Sequence, residues 1–598
     1  LATDITIGGP SQPFASLIDG SLPRLAAIGA LVALVLAMPA AGQPKPLMPG
    51  VTYEKQVQFT FHGPSVIHVL TMARPGGTWA LKPVLSNGAI VGLERVTAIQ
   101  QRVSAIATVA GVNGDRFVSN GRPSGILMLD GQLQHGPGES RSSIGIDSGG
   151  NLRVERVRLL PTWQGTGQRQ NLSAVNNSPS SSGMSLYTPT WGPTTPAAPG
   201  ALEVVLRPFP ATFPNTEVAG PVTEVRSGAA APIPPDGAVL VARGTTATNR
   251  LRNEAPVGAT VRVRLVLQPD WAGVVDAVGG GPALVRDGKA VFNAGEAFVP
   301  SQLALPEPRT AVGQLTDGRI VLVVVDGRLR GYSSGMTNFE LALALVRLGA
   351  VTGAALDGGG SSTMAFDGQL LNRPSGAERP VSEALLMVYS GVQAPLPAVS
   401  VVSPNGDGVA ETQALAYKLV RPSTVSASLI APDGSTRAVF SGQAPAGTYP
   451  FAWTGRTAEG ALELEGPWRW AVRATDDRGQ VTSVVRPFSL NTTLGFASTV
   501  APALSVPRRR PRAVAQFELA RPASVTTRIE TSSGTVIRKV DPAVELQAGP
   551  ASVLWDGRTS KGATVHSGPY VARMTAKNAA GSVSLTSKFT VRRTRSSH

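Results

Sequence analysis

The sequence predicts an α+β domain followed by two all-β sandwiches, and three observations carry that prediction. The chain of 598 residues holds 66 glycines and 49 prolines, a turn-rich composition suited to many short strands. Between Val51 and Gln393, apolar strand-like runs such as Ile320-Val321-Leu322-Val323-Val324-Val325 alternate with glycine-rich turns, and one convincing helical pattern, Asn338 to Leu348, interrupts them. In its last third the chain repeats itself at a domain-sized spacing. Hydrophobic residues make up 42% and charged residues 16%, which excludes a disordered chain, and the length exceeds what one core holds.

The elements follow in order. Leu25 to Ala41 is apolar, is preceded by Arg24 and leads into the small residues Ala40-Ala41-Gly42. That order reads residues 1–42 as a signal peptide or N-terminal anchor and the product as secreted or cell-surface. Pro39 and the shortness of the run argue against a stable membrane span once the leader is cleaved. Residues 51–393 form the long mixed domain. Its stretch from Thr162 to Pro199, rich in Ser, Pro, Asn and Thr, reads as loop. The helix takes Asn338 as N-cap, Glu340 in its first turn and Gly349 as its stop. Gln393-Ala394-Pro395-Leu396-Pro397 reads as the boundary, because two prolines interrupt strand pairing.

The repeat spans residues 400–490 and 500–593. Leu419-Val420-Arg421-Pro422-Ser423 is echoed by Leu519-Ala520-Arg521-Pro522-Ala523, Trp453-Thr454-Gly455-Arg456 by Trp555-Asp556-Gly557-Arg558, and Gly466-Pro467-Trp468 by Gly568-Pro569-Tyr570. Alternating runs such as Trp468-Arg469-Trp470-Ala471-Val472-Arg473 read as half-buried strands. The pattern resembles the Ig-like module of flagellar-hook capping proteins. Asn405 and Asp407, in the turn that opens the first copy, offer oxygens to calcium or simply make a turn.

Composition also excludes chemistry. The chain has no cysteine, so disulfides, thiolate zinc sites and a Cys nucleophile are out. The net charge of +15 comes from scattered basic residues without interleaved aromatics, which argues against a nucleic-acid partner and suits anionic surface polymers or a solvated arginine-rich surface.

Four segments of the long domain carry polar residues that secondary structure does not require: Asn113-Gly114-Asp115-Arg116, Arg309-Thr310, Asp326-Gly327-Arg328 with Ser334, and Asp357-Gly358-Gly359-Gly360-Ser361-Ser362-Thr363. In the fourth, three glycines let backbone N–H groups approach a ligand and three hydroxyls add donors. No Lys follows them, which excludes a Walker-type loop. Asp357, Asp326 and Glu340 are the catalytic candidates, with Asp115 a fourth, and Arg309 and Arg379 can bind phosphate bidentately. Each has a plainer alternative: Arg309 as the partner of a structural carboxylate, Glu340 as a helix-terminal charge, Asp326 as a turn residue. His62, His68 and His135 lie outside these segments, so a serine-hydrolase triad is not indicated.

The order and wording of these segments, closing with Glu378-Arg379-Pro380-Val381-Ser382, resemble the phosphodiester glycosidases across nearly all of residues 51–393. Members commonly carry an aromatic where Arg116 stands, a departure that bears on the substrate contacts near Phe117 and on the leaving group, though not on the reaction class. The resemblance implies hydrolysis of a sugar-1-phosphodiester, with catalytic Asp357, Asp326 and Glu340. It implies substrate contacts from Arg309, Thr310, Asn113, Asp115, Ser334, Gly358, Gly359, Gly360, Ser361, Ser362, Thr363 and Arg379. The implied partner is a glycan or sugar-1-phosphodiester, with the Ig-like modules holding a cell-wall polymer. No cofactor requirement follows, although carboxylates beside glycine turns suit Ca²⁺ or Mg²⁺ as well as direct catalysis. A non-catalytic carbohydrate- or wall-binding surface protein is the alternative. The four segments are expected to converge on one pocket.

Overall fold

The computed structural model describes residues 44–593 except 139, 179–181, 229 and 507; the leader or anchor expected at residues 1–42 lies outside the described residues. Among the described residues of the first domain, 26 strands stand against four α-helices of five to ten residues, so that domain is predominantly β, with less helix than an α+β label implies.

The organising element is an eight-stranded sheet in which Gly63–Met72, Ile320–Val325, Arg309–Leu315 and Ala350–Ala355 lie side by side in that order. Ile320–Val325 is wholly buried, and its alternation divides it between two cores. Ile320, Leu322 and Val324 pack with Ala110, Val112, Leu385 and Met387 of a five-stranded sheet, while Val321, Val323 and Val325 pack with Leu341, Ala342 and Leu345 of the helix. A continuous run of branched apolar residues is what a strand covered on both faces requires. Burial of each such side chain contributes about 1.5–3 kcal/mol.

Arg309–Leu315 pairs antiparallel with both Ile320–Val325 and Ala350–Ala355, so those two run parallel to each other and the helix Asn338–Arg347 makes the crossover. Asp326 and Asp357 follow the ends of the parallel strands, and Arg309 begins the strand between them. All three therefore lie at one end of the sheet. The N-cap is Thr337 rather than Asn338: its hydroxyl accepts from the Glu340 N–H while the Glu340 carboxylate accepts from the Thr337 N–H.

The stretch expected as loop from Thr162 to Pro199 contributes instead to a second eight-stranded sheet, through Arg158–Gln164, Gln170–Asn171, Ala174–Val175 and Gly183–Tyr187. These are short outer strands, anchored by Trp163, Val175, Met184 and Leu186 in a core of their own. Most of their polar residues, such as Gln164, Gln170 and Asn171, are half-buried or exposed, and with the prolines and serines between the strands they make the composition read as loop.

The repeat does form two sandwiches. In the first, a five-stranded sheet packs on the pair Gln413–Leu419 and Gly447–Trp453 around Trp453, Trp468 and Trp470; in the second, a five-stranded sheet packs on a three-stranded one around Trp555, Tyr570 and Phe589. The boundary segment is not an open hinge. Val392 and Ala394 belong to the core of the first sandwich, and Gln393 exchanges two backbone hydrogen bonds with Lys418. Lys418 in turn reaches Asp367, the Ser104 hydroxyl and the Ala107 carbonyl of the first domain. In the opening turn of the first sandwich Asp407 accepts from the Val409 and Phe496 N–H groups and Glu411 from those of Gly406 and Gly408, bonds that a plain turn makes.

Candidate active site

Asp357 sits at the mouth of a cavity of about 360 Å³ at the sheet end. Asn113 holds it from below, donating from Nδ2 to the Asp357 carbonyl at 2.7 Å, while the Asp357 N–H donates to the Gly114 carbonyl at 3.1 Å. Asn113 Oδ1 accepts from the Thr310 hydroxyl and the Thr363 N–H, and the Thr310 oxygen in turn pairs with the Ser362 hydroxyl at 3.2 Å. Asn113, Thr310, Ser362 and Thr363 are thus a buried lattice beneath the cavity that fixes the Asp357 turn, not a contact surface.

The carboxylate is used on one oxygen only. Asp357 Oδ2 accepts from the Ser361 hydroxyl at 2.5 Å and from Arg379 Nη2 at 2.9 Å, whereas Oδ1 has Arg116 Nε at 3.7 Å. Burial pushes this carboxyl above its ordinary value; Ser361, Arg379 and Arg116 oppose the rise and Asp115 adds to it. The glycine turn completes the wall. Gly359 has φ +62°, a left-handed conformation that favours glycine, and a side chain there would point at Arg328. Gly360 lies against Arg379 in the same way. Arg328 pairs with Glu307, Arg379 stacks on Phe117, and Arg116 stacks on Phe298 at 5.3 Å.

Of the predicted site residues, the structure brings Asp357, Gly358, Gly359, Gly360, Arg309 and Arg379 to the cavity wall. Arg309, however, is not a free phosphate fork. Its Nε, Nη1 and Nη2 donate to the carbonyls of Met336, Gln302 and Leu305 at 2.7, 2.8 and 2.6 Å. Burial lowers its pKa to about 10, and its carbonyl partners explain its charge better than a ligand does. It ties down the loop that forms one wall.

Two catalytic candidates lie away from the cavity. Asp326 turns to the opposite face of the sheet, where Asn372 Nδ2, the Arg373 N–H and His68 Nε2 fill its oxygens. Glu340 is half of the helix capping box, the plainer of its two readings. Ser334 lies against the Thr60–Gly63 turn, with its N–H donating to the Pro64 carbonyl. Asp115 is buried behind the cavity, where Oδ1 accepts from Arg141 Nη2 at 2.5 Å.

Sequence reasoning missed Arg328, Glu307 and Glu383. Arg328 was visible in Asp326-Gly327-Arg328, next to a candidate that drew the attention. Glu383 is fully buried, accepts from the Asp115 N–H at 2.7 Å, and is pushed up to about 8 by burial, by Asp115 and by Asp357. Nothing local marks it, since it opens an otherwise apolar strand.

Comparison with known proteins bears on this geometry. The phosphodiester glycosidase family model matches residues 214–388, and the FlgD Ig-like domain model matches residues 510–580. A 91-residue stretch, 15% of this chain, is 41% identical to an SPbeta prophage-derived uncharacterized protein of Bacillus subtilis and spans 14% of that protein's length. A hypothetical protein from Synechocystis is similar over 57% of this chain and 64% of its own, with 26% identity and a TM-score of 0.48. The catalytic domain of zebrafish N-acetylglucosamine-1-phosphodiester alpha-N-acetylglucosaminidase is similar over 58% of this chain and 85% of its own, with 14% identity and a TM-score of 0.33. Asp357, Arg309, Arg328 and Arg379 fall inside the family match, and the chain carries a phosphodiester glycosidase domain at residues 214–388 and an FlgD Ig-like domain at residues 510–580.

Proposed function

We propose that the protein is an exported hydrolase that cleaves the sugar–phosphate bond of sugar-1-phosphodiesters in cell-wall or extracellular glycopolymers. One observation carries the reading: the Asp357 carboxylate, bonded to Ser361 and Arg379 on one oxygen, borders a cavity whose wall carries Arg116, Arg309, Arg328 and Arg379 against one other carboxylate, Glu307. Arginine planes match phosphate oxygens, and the glycine turn lets the substrate approach the backbone.

Most glycosidases use two carboxyl groups, one to protonate the leaving oxygen. A phosphate monoester leaves as a stable anion, so that protonation is dispensable and a cationic wall takes its place. Arg116, Arg328 and Arg379 receive the negative charge as the C1–O bond breaks, while Asp357 faces the positive charge that develops at C1. Water then adds to C1 and gives its proton to Asp357, leaving free sugar and a phosphate monoester. The carboxylate form does this work, so the rate falls as pH drops through the raised pKa of Asp357.

Asp326 and Glu340 being structural favours one second reading, a glycan-binding domain without turnover. Incubating the purified protein with a synthetic hexosyl-1-phosphodiester separates the two. Sugar release that disappears in Asp357→Asn supports hydrolysis; binding without release supports the second reading.

A further inference from the structure

A second cavity lies across the Phe298 ring from the one that Asp357 borders, and a third shares its wall with the second. The Phe298 ring has the Arg116 guanidinium 5.3 Å and the Arg141 guanidinium 5.4 Å from its centre. Arg116 and Phe298 line the Asp357 cavity, whereas Arg141 lines a neighbour of about 630 Å³ with Arg156 and Arg158. Ser140, Val157 and Arg158 are shared between that neighbour and the largest of the three, about 700 Å³, which Arg122 and His135 also line. The three walls together present eight arginines and, among the described residues, three carboxylates: Asp270, Glu307 and Asp357. Among the described residues no carboxylate lines the largest cavity, and Arg122, Arg156 and Arg158 form no ion pair.

Arg122 is positioned rather than loose. His135, 4% exposed, donates from Nδ1 to the Gly125 carbonyl at 2.7 Å, which leaves Nε2 to accept from Arg122 Nη1 at 2.9 Å. Burial and the Arg122 charge push His135 down to about 4, so the ring stays neutral and Arg122 carries the charge of the pair. An unpaired guanidinium held by a neutral buried acceptor in a wide cavity is a poor stabilising device and a good anion receptor.

We infer that Arg122 and Arg158 form a subsite for a further phosphate of a polyanionic sugar-phosphate chain whose reacting phosphodiester lies at Asp357. This rests on the hydrolytic reading and adds to it a preference for polymer over monomer. Charge spread along adjoining cavities raises the local concentration of a multivalent anion, and each bound phosphate adds an intramolecular contact.

The test compares a hexosyl-1-phosphodiester bearing one phosphate with a trimer of hexose-1-phosphate units. Wild-type protein is expected to favour the trimer in kcat/KM, and Arg122→Gln/Arg158→Gln is expected to lower the trimer-to-monomer ratio by about tenfold or more, with a weaker salt dependence. Arg158→Gln alone, at an exposed side chain, is expected to show part of the loss and guards against misfolding of the double variant. A ratio unmoved by these changes, or no wild-type preference for the trimer, overturns the subsite. If wild-type protein cleaves neither compound the hydrolytic reading fails, and calorimetry with the trimer then decides the subsite: weaker binding by the variants supports it, equal or absent binding overturns it. Tighter binding of a single-stranded oligonucleotide of equal charge than of the trimer overturns the sugar-phosphate assignment.

Discussion

Asp326 and Asp357 end parallel strands of one sheet, each is followed by glycine, and each is nearly closed to solvent, yet they do different things. Around Asp326 the protein supplies every partner: a side-chain amide, a backbone N–H and a histidine whose other nitrogen meets the Tyr53 hydroxyl. Around Asp357 the hydrogen bonds crowd one oxygen, and the other has only the Arg116 guanidinium, at 3.7 Å, where the side chain borders a cationic cavity. A carboxylate satisfied on all sides holds a fold together; one satisfied on a single side is available for chemistry.

The sharpest test exchanges the two. Asp357→Asn is expected to lower kcat by about 10²–10⁴-fold on a sugar-1-phosphodiester, with little change in KM. Its thermal midpoint should hold or rise, because burial already penalises the charge. Asp326→Asn should do the reverse, costing about 3 kcal/mol of stability while kcat per folded molecule stays near wild type. Denaturant melts and steady-state rates on both variants would expose a swapped pattern, which would reverse the assignment.

Glu383 sharpens the comparison from behind the site. Its folded pKa of about 8 lies above the ordinary 4.5, so between those values the folded state keeps a proton that the unfolded state has lost, and stability falls as pH rises. Glu383→Gln is expected to flatten that fall, by a few kcal/mol across the window. Melting curves at pH 5 and pH 8 check it; equal slopes for variant and wild type would place the proton elsewhere. The smallest effect belongs to the helix cap, where Thr337→Ala should cost about 1 kcal/mol, read as a shift in denaturant midpoint without loss of activity.

The sheet end was legible in the sequence because a wholly apolar strand, a helix and a second strand in succession imply a parallel crossover, and a crossover puts both strand ends on one side. The two Ig-like modules were legible because tryptophans and glycines recur in matched positions. What separates Asp326 from Asp357 was not legible: the partners of Asp326, His68 and Asn372, lie 258 and 46 residues away and carry no local mark. Arg309 misled for a related reason, since carbonyl partners leave no trace in side-chain composition. The Thr337 cap could have been found, because Thr337-Asn338-Phe339-Glu340 has the spacing of a capping box.

The buried join at residues 392–394 has a mechanical consequence. Glu383–Tyr389 lies between Trp79–Leu85 and Thr108–Asn113, paired antiparallel along its length to both, and the chain then passes directly into the core of the first sandwich. A pull on the C-terminal modules is carried along that strand and opposed by both neighbouring ladders at once, in shear rather than by unzipping. The strand that bears this tension begins with Glu383, behind Asp357, so a pull on the C-terminal modules loads the floor of the site.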